Sequence, residues 1–220
     1  MFRRLEEDTV ASEASPLGRA TSFYRLHVGE HEVVVINDGT IGVTLPFFAV
    51  NAPENEVRAL MEAHGLGTEF VPLPVGNVLV RSGERLVLLD TGTGTSDFAR
   101  GLFGNRIGGL LPTLELIGVS PEAITDVIFS HAHVDHVGGT SVDGRLVFPN
   151  ARHAMPQLEW DDLQRDDVPE PVAPFYAFGR RQLQPVAAHD GQLSLYGDGD
   201  EVVPGIRAIA TLGHSAGHHA

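Results

Sequence analysis

Cysteine is absent from the 220 residues of this sequence. The absence excludes disulfide bonds, thiolate metal ligands and a cysteine nucleophile. Basic residues are scarce too: 15 Lys and Arg stand against 29 Asp and Glu, a formal net charge of −14. Nucleic acids and anionic membranes are bound through clustered Lys and Arg. We therefore expect no nucleic-acid partner and no membrane partner.

Long apolar runs are also missing. The longest uncharged stretch, 39–53, is interrupted by Pro46, so none approaches the roughly 20 apolar residues of a membrane-spanning helix. Acidic residues 6–8 occupy the place where a secretory signal would have its apolar region. These absences predict a cytoplasmic protein. The length and the 42% hydrophobic content predict one ordinary domain with a substantial core.

Strand-like and helix-like segments mix along the chain, which predicts an α/β or α+β fold. Residues 1–22 are polar and predict an N-terminal arm, and residues 23–220 predict the domain proper. Apolar runs predict strands at 32–36, 41–45, 75–81, 85–90, 125–130, 145–148 and 206–211, with an Asp-Gly turn between the first two. Spacing and end signals predict helices at 54–64, 112–117, 157–164 and 172–183.

The segment Ser-His-Ala-His-Val-Asp-His-Val-Gly-Gly follows one of these strands directly. In extended backbone alternate residues point the same way, so His131 and His133 can face one ion. If the chain then turns into a helix, Asp135 and His136 face a second position beside it. Imidazole and carboxylate ligands suit zinc, and also manganese, iron or cobalt. A surface histidine patch, or core histidines each satisfied by a hydrogen bond, would explain one or two of these residues but not four.

A second histidine cluster closes the sequence at residues 213–219. His214 is the candidate for a third imidazole on the first ion, because three histidines complete an open metal site. We expect His218 to support a ligand or to pack, and His219 to face solvent. Asp90 ends an apolar strand and can hydrogen-bond a ligand imidazole. The alternative for Asp90 is a carboxylate that holds its own turn.

These motifs resemble those of the metallo-β-lactamase superfamily. The resemblance rests on His-x-His-x-Asp-His at 131–136, Asp-Thr-Gly at 90–92 and Gly-His-x-x-Gly-His at 213–218. Segments 36–48 and 147–163 are similar to the branch that holds methyl parathion hydrolase and quorum-quenching lactonases. The implied fold is a four-layer αβ/βα sandwich of the α/β (α+β) class, with its metals at one edge between two sheets.

The resemblance also implies a ligand set and a reaction. His131, His133 and His214 would hold one ion, and Asp135 with His136 part of a second; Zn²⁺ is the first choice, with Mn²⁺, Co²⁺ or Fe²⁺ as alternatives. Two such ions activate a water that attacks an ester, a lactone or a phosphotriester. The implied protein is therefore a metal-dependent hydrolase of small molecules, in which loss of Asp135 should abolish turnover.

Superfamily members continue beyond the equivalent of Ala220 to a bridging carboxylate and a further histidine. We therefore expect this chain to be a piece of a longer protein, with the second half of the sandwich unfinished. Two other functions stay open. One is a redox enzyme with a single iron bound by His131, by His133 or His136, and by His214. The other is a catalytically incomplete metal-binding fragment. Whether the chain forms a homodimer stays open as well.

An acidic segment and three aromatic residues lie near these motifs in the sequence. The segment 159–170 contains six carboxylates and one Arg, which predicts a solvated helix face. Phe47, Phe48 and Trp160 lie in the resembling segments and could line a site for an apolar substrate. Core packing is the commoner role of such aromatics, and we expect it here.

Overall fold

The structure of the protein is a computed structural model that describes residues 2–3, 22–49, 51–189 and 191–220. The predicted N-terminal arm, 1–22, lies almost entirely outside the described residues. No helix among the described residues has the length and apolar character needed to cross a bilayer.

A mixed eight-stranded sheet organises the described chain in the order β1-β3-β4-β5-β6-β9-β10, with β2 also paired to β3. The strands are β1 (Phe2–Arg3), β2 (Phe23–Val28), β3 (His31–Val43), β4 (Val71–Ser82), β5 (Arg85–Leu89), β6 (Asp126–Ile128), β7 (Ser141–Val142), β8 (Arg145–Leu146), β9 (Arg152–Pro156), β10 (Leu193–Tyr196), β11 (Glu201–Val203) and β12 (Ile206–Arg207). Two small hairpins, β7-β8 and β11-β12, stand apart from the sheet.

The helices are α1 (Leu45–Phe48), α2 (Glu54–Ala63), α3 (Asp97–Phe103), α4 (Leu110–Leu116), α5 (Val134–Val137), α6 (Gln157–Leu163) and α7 (Ala173–Ala187). Buried residues of α4, α6 and α7 pack on one face of the sheet, against Ile36, Leu88 and Met155 among others. The opposite face buries Val87 and Ile128, and the β11-β12 hairpin packs on it. A large mixed sheet with helices confirms the predicted α/β (α+β) class.

The parallel part of the sheet brings the functional segments together. β5, β6 and β9 are parallel neighbours, so the residues that follow them leave the sheet at the same edge. Those residues are Asp90 after β5, the histidine segment after β6, and α6 after β9. The apolar run of β5 is buried on both faces, as the sequence pattern indicates for a central strand.

The predicted Asp-Gly turn is wrong. β3 continues through it, with a bulge between Asn37 and Gly39. The reason is a tertiary contact: the buried carboxylate of Asp38 accepts hydrogen bonds from the backbone N–H groups of Thr93 and Leu110, each at 2.9 Å. A carboxylate committed to these distant donors cannot lie at an exposed turn.

Other strand predictions differ from the structure in both directions. The predicted strands at 145–148 and 206–211 shrink to Arg145–Leu146 and Ile206–Arg207. β9, which the sequence pattern missed, is an inner strand of the sheet. Its sequence, Arg-His-Ala-Met-Pro, contains no β-branched residue, so it lacks the usual strand signal.

Candidate metal centre

Three ring nitrogens converge where the predicted histidine ligands meet. His131 Nε2 lies 3.0 Å from His133 Nδ1 and 3.1 Å from His214 Nε2, and the last two atoms are 3.1 Å apart. His131 is buried, whereas His133 and His214 are open to solvent. A metal ion held by the three nitrogens would therefore keep a side that a substrate can reach.

Hydrogen bonding alone cannot satisfy this triangle of nitrogens. Each ring nitrogen is either an N–H donor or a lone-pair acceptor. With three atoms, at least two share the same role, so at least one of the three contacts opposes two donors or two acceptors. A cation resolves the conflict, because all three lone pairs can then point at it. The donor set fits a divalent ion of the zinc type.

The backbone explains why these side chains meet. His131 and His133 lie in the extended segment after β6, and His133 is the N-cap of α5 with φ −69° and ψ 159°. His214 lies in a loop closed by a bridge between Ala210 and His219. The backbone N–H of His219 donates to the carbonyl oxygen of Ser130 at 3.1 Å, which draws this loop to the histidine segment.

The other two predicted ligands lie beside the triangle. The rings of His131 and His136 are 4.0 Å apart between centroids. His136 Nε2 lies 3.5 Å from a carboxylate oxygen of Asp135, and its Nδ1 lies 2.8 Å from Asp90 Oδ2. Because Nδ1–H donates to Asp90, the neutral ring of His136, the form that binds a metal ion, has its lone pair on Nε2, on the side of Asp135.

Asp90 occupies this position at a conformational cost. Its φ of 60° lies in the left-handed region, which non-glycine residues rarely adopt. Its carboxylate also accepts hydrogen bonds from the backbone N–H and the hydroxyl of Ser130, at 2.7 and 2.8 Å. The structure thus shows the predicted contact between Asp90 and a candidate ligand imidazole.

The charge states differ across the site. Burial, together with the neighbouring histidines, lowers the pKa of His131 far below its ordinary range, so that its ring is neutral. Burial by itself would also lower the pKa of His136, but Asp90 and Asp135 outweigh it and raise that pKa to about 10. The same contact with His136 keeps the pKa of Asp135 below its usual value, although burial opposes the shift. Without a metal ion the site therefore combines a neutral His131 with a protonated His136 held between two carboxylates, and an ion that binds His136 Nε2 must displace its proton.

Comparison with known proteins identifies the family. The family model described as "Metallo-beta-lactamase superfamily" matches residues 71–220. The chain belongs to this superfamily. The predicted resemblance is confirmed, and the match includes the three histidines and Asp90.

Lactonases are prominent among the similar superfamily members. The N-acyl homoserine lactonase AiiA of Bacillus thuringiensis subsp. kurstaki is 29% identical over 182 residues, which cover 74% of this chain and 65% of that protein. An N-acyl homoserine lactonase of Bacillus cereus is 25% identical over 183 residues, with the same coverage. This chain therefore spans 65%, just under two thirds, of the length of these curated relatives.

Two solved structures have the same fold as this chain. The dizinc quorum-quenching lactonase AidC superposes with a TM-score of 0.77 at 25% identity, covering 90% of this chain and 69% of that chain. The hydrolase AbOPH superposes with a TM-score of 0.76 at 25% identity, covering 92% and 69%.

The C-terminal histidines of this superfamily member have different surroundings. The half-buried ring of His218 lies 4.8 Å from that of His131, and its Nδ1 is 2.6 Å from the Thr211 hydroxyl. The expectation that His219 faces solvent is wrong: its exposed fraction is 3%. The reason is that its ring packs edge-on against Tyr196, and its Nδ1–H donates to the carbonyl oxygen of Gly217 at 2.7 Å.

Sequence reasoning missed Glu159, which lies within the segment predicted to be solvated. Its exposed fraction is 5%, and its carboxylate accepts hydrogen bonds from the loops on both sides of the metal centre. One available signal was that Glu159 shares a helix face with Leu163, four residues later, which is also buried. A buried face was therefore readable at this position.

The aromatic residues divide between core and surface. Trp160 packs against the main core, as expected. Phe47 and Phe48 do not, with exposed fractions of 44% and 48%. The core prediction is wrong for these two because the short helix α1 buries Leu45 instead.

Proposed function

We propose that this protein is a zinc-dependent hydrolase of lactones, with N-acyl homoserine lactones as its substrate class. The observation that carries the proposal is the convergence of three ring nitrogens at 3.0–3.1 Å. The similarity to lactonases over 74% of this chain supports the substrate class. We also propose that residues 23–220 belong to one domain.

In this proposal each candidate ligand has a defined place. His131, His133 and His214 hold one zinc ion, and Asp135 with His136 contributes to a second. Zinc supplies two things when bound: it polarises a carbonyl oxygen, and it lowers the pKa of water toward neutrality. The absence of cysteine agrees with a reaction that needs no side-chain nucleophile.

The chain's own hydrogen bonds prepare the ligands for this role. The Ser130 hydroxyl donates to Asp90 and lies 3.0 Å from His131 Nδ1. Since that proton is committed, the hydroxyl oxygen accepts from Nδ1–H, which leaves the His131 lone pair on Nε2, inside the triangle. Asp90 does the same for His136 through Nδ1. One carboxylate thus sets the tautomers of two candidate ligands.

The net charge favours a neutral substrate. At −14 the chain repels anions, whereas a lactone is uncharged until its ring opens. The opened product carries a carboxylate, so the same charge favours its release. The charge of the chain therefore favours lactones and other neutral esters over phosphorylated or acidic substrates.

The test combines metal content with ring opening. Zinc per chain is measured by elemental analysis, and hydrolysis of N-hexanoyl-homoserine lactone is followed by proton release. Paraoxon and an aryl ester serve as competing substrate classes. His214→Ala should lose bound zinc and lactone turnover, whereas His27→Ala, at an exposed site on β2, should change neither.

Three outcomes would contradict the proposal. Purified protein that binds no zinc would contradict a zinc-dependent reaction. Lactone turnover that survives His214→Ala would place the reaction elsewhere. Iron in place of zinc, without lactone turnover, would favour the redox alternative.

A further inference from the structure

The loop segment around His214 has few buried side chains and few hydrogen bonds to other elements. Leu212 is 56% exposed, and the backbone N–H of Gly213 bonds only within the loop, to the carbonyl oxygen of Ser215. Among the described residues, the hydroxyl and backbone bonds of 213–217 that reach another element end on Glu159. His219 ties the end of the loop to Ser130, but the position of residues 213–217, which include His214, depends on one carboxylate.

Glu159 holds both histidine loops at once. Its Oε1 accepts from the N–H of Ala132, between two candidate ligands, at 2.9 Å. Its Oε2 accepts from the Ser215 hydroxyl at 2.7 Å and from the N–H of Gly217 at 2.8 Å, just beyond His214. The loop also packs directly on α6, because a Cβ at Gly217 would lie 2.1 Å from the Glu159 nitrogen.

We propose that Glu159 is a positioning residue of the metal centre, one that brings the imidazole of His214 to those of His131 and His133. The inference rests on the proposed function. Only a carboxylate meets the demand, since all three partners are donors and both oxygens must accept. A glutamine offers one oxygen, and its NH₂ group would face donors on the other side. Glu159→Gln should therefore release one of the two loops while keeping the size of the side chain.

The test titrates the metal-free protein with Co²⁺, whose visible absorption reports its coordination. Glu159→Gln should bind Co²⁺ about 10- to 100-fold more weakly than the unmodified protein, with an altered absorption spectrum. Asp161→Asn is the matched control, because it removes an exposed charge from the same helix and should bind normally. If Glu159→Gln fails to fold, Ser215→Ala removes one of the three bonds and should give a smaller loss.

A double-mutant cycle shows whether Glu159 acts through His214. His214→Ala should still bind Co²⁺ weakly through the remaining histidines, and in that background Glu159→Gln should weaken Co²⁺ binding much less than it does in the unmodified protein. An equal loss in both backgrounds, or normal Co²⁺ binding by Glu159→Gln and Ser215→Ala, would overturn the inference. Failure of the unmodified protein to bind Co²⁺ would instead overturn the proposed function.

Discussion

His136 Nδ1 lies 2.8 Å from Asp90 Oδ2, across 46 residues of sequence. The bond joins a candidate ligand on α5 to the end of β5, and Asp90 makes it from a left-handed backbone conformation. A strained backbone conformation of this kind persists where surrounding contacts hold it in place, and it is common at functional sites. In this conformation the Asp90 carboxylate contacts His136, one of the two candidate ligands of the second ion.

Asp90→Asn should therefore weaken the second zinc site more than the first. Asparagine has one oxygen to accept from both Ser130 and His136, so one donor loses its partner. We expect about 10- to 100-fold weaker binding of the second equivalent of zinc, measured by titration against a chelating dye. Asp143→Asn is the control, since Asp143 is exposed and also has a positive φ, of 49°. Equal losses at both zinc equivalents would contradict the assignment.

Gly217→Ala should also disturb the centre. Its Cβ would lie 2.1 Å from the Glu159 backbone nitrogen, so the loop must move away from α6. We expect weaker zinc binding with little change in secondary structure, measured by calorimetric titration and circular dichroism. Gly197→Ala is the control, because there the nearest atom to the new Cβ is 3.7 Å away. Normal zinc affinity in Gly217→Ala would show that the close packing is not required.

Asp38→Ala should destabilise the protein strongly. Asp38 is 2% exposed, and its carboxylate accepts hydrogen bonds from the N–H and the hydroxyl of Thr93 and from the N–H of Leu110. Its removal leaves these donors buried without partners, which costs about 3 kcal/mol of unfolding free energy or more. Urea denaturation measures the loss, with Glu84→Ala in the exposed β4-β5 turn as the control. A loss below about 1 kcal/mol would contradict this account of the bulge in β3.

His153 should make stability depend on pH. It is fully buried, with its ring stacked on Phe129, and burial lowers its pKa to about 4. Unfolded chains bind the proton with the ordinary pKa, so the unfolded state gains protons first as pH falls, and stability decreases between about pH 6.5 and 4.

His153→Phe should remove that part of the slope. Between pH 8 and pH 5 the unmodified protein should lose about 2 kcal/mol more unfolding free energy than the variant. The measurement is urea denaturation of both proteins in a chelator, so that metal binding does not contribute. Equal losses would show that His153 titrates normally in the folded state.

Local motifs and strand patterns predicted the place of the candidate histidines and Asp90, and the strands β4 and β5, because their signals lie within a few neighbouring residues. The roles of Asp38 and Glu159 were not predictable in this way. Their partners lie 55 to 72 and 27 to 58 residues away, and no periodicity encodes such pairings. Where a distant contact competed with a local turn signal, at the Asp-Gly of β3, the distant contact prevailed.

The proposed function depends above all on three histidines from two distant loops that form one metal site. The most direct measurement is zinc per chain, by elemental analysis after dialysis, for the unmodified protein and for His131→Ala, His133→Ala and His214→Ala. We predict at least one tightly held ion in the unmodified protein and its loss from every variant. Zinc content unchanged in any of the three variants would contradict the claim.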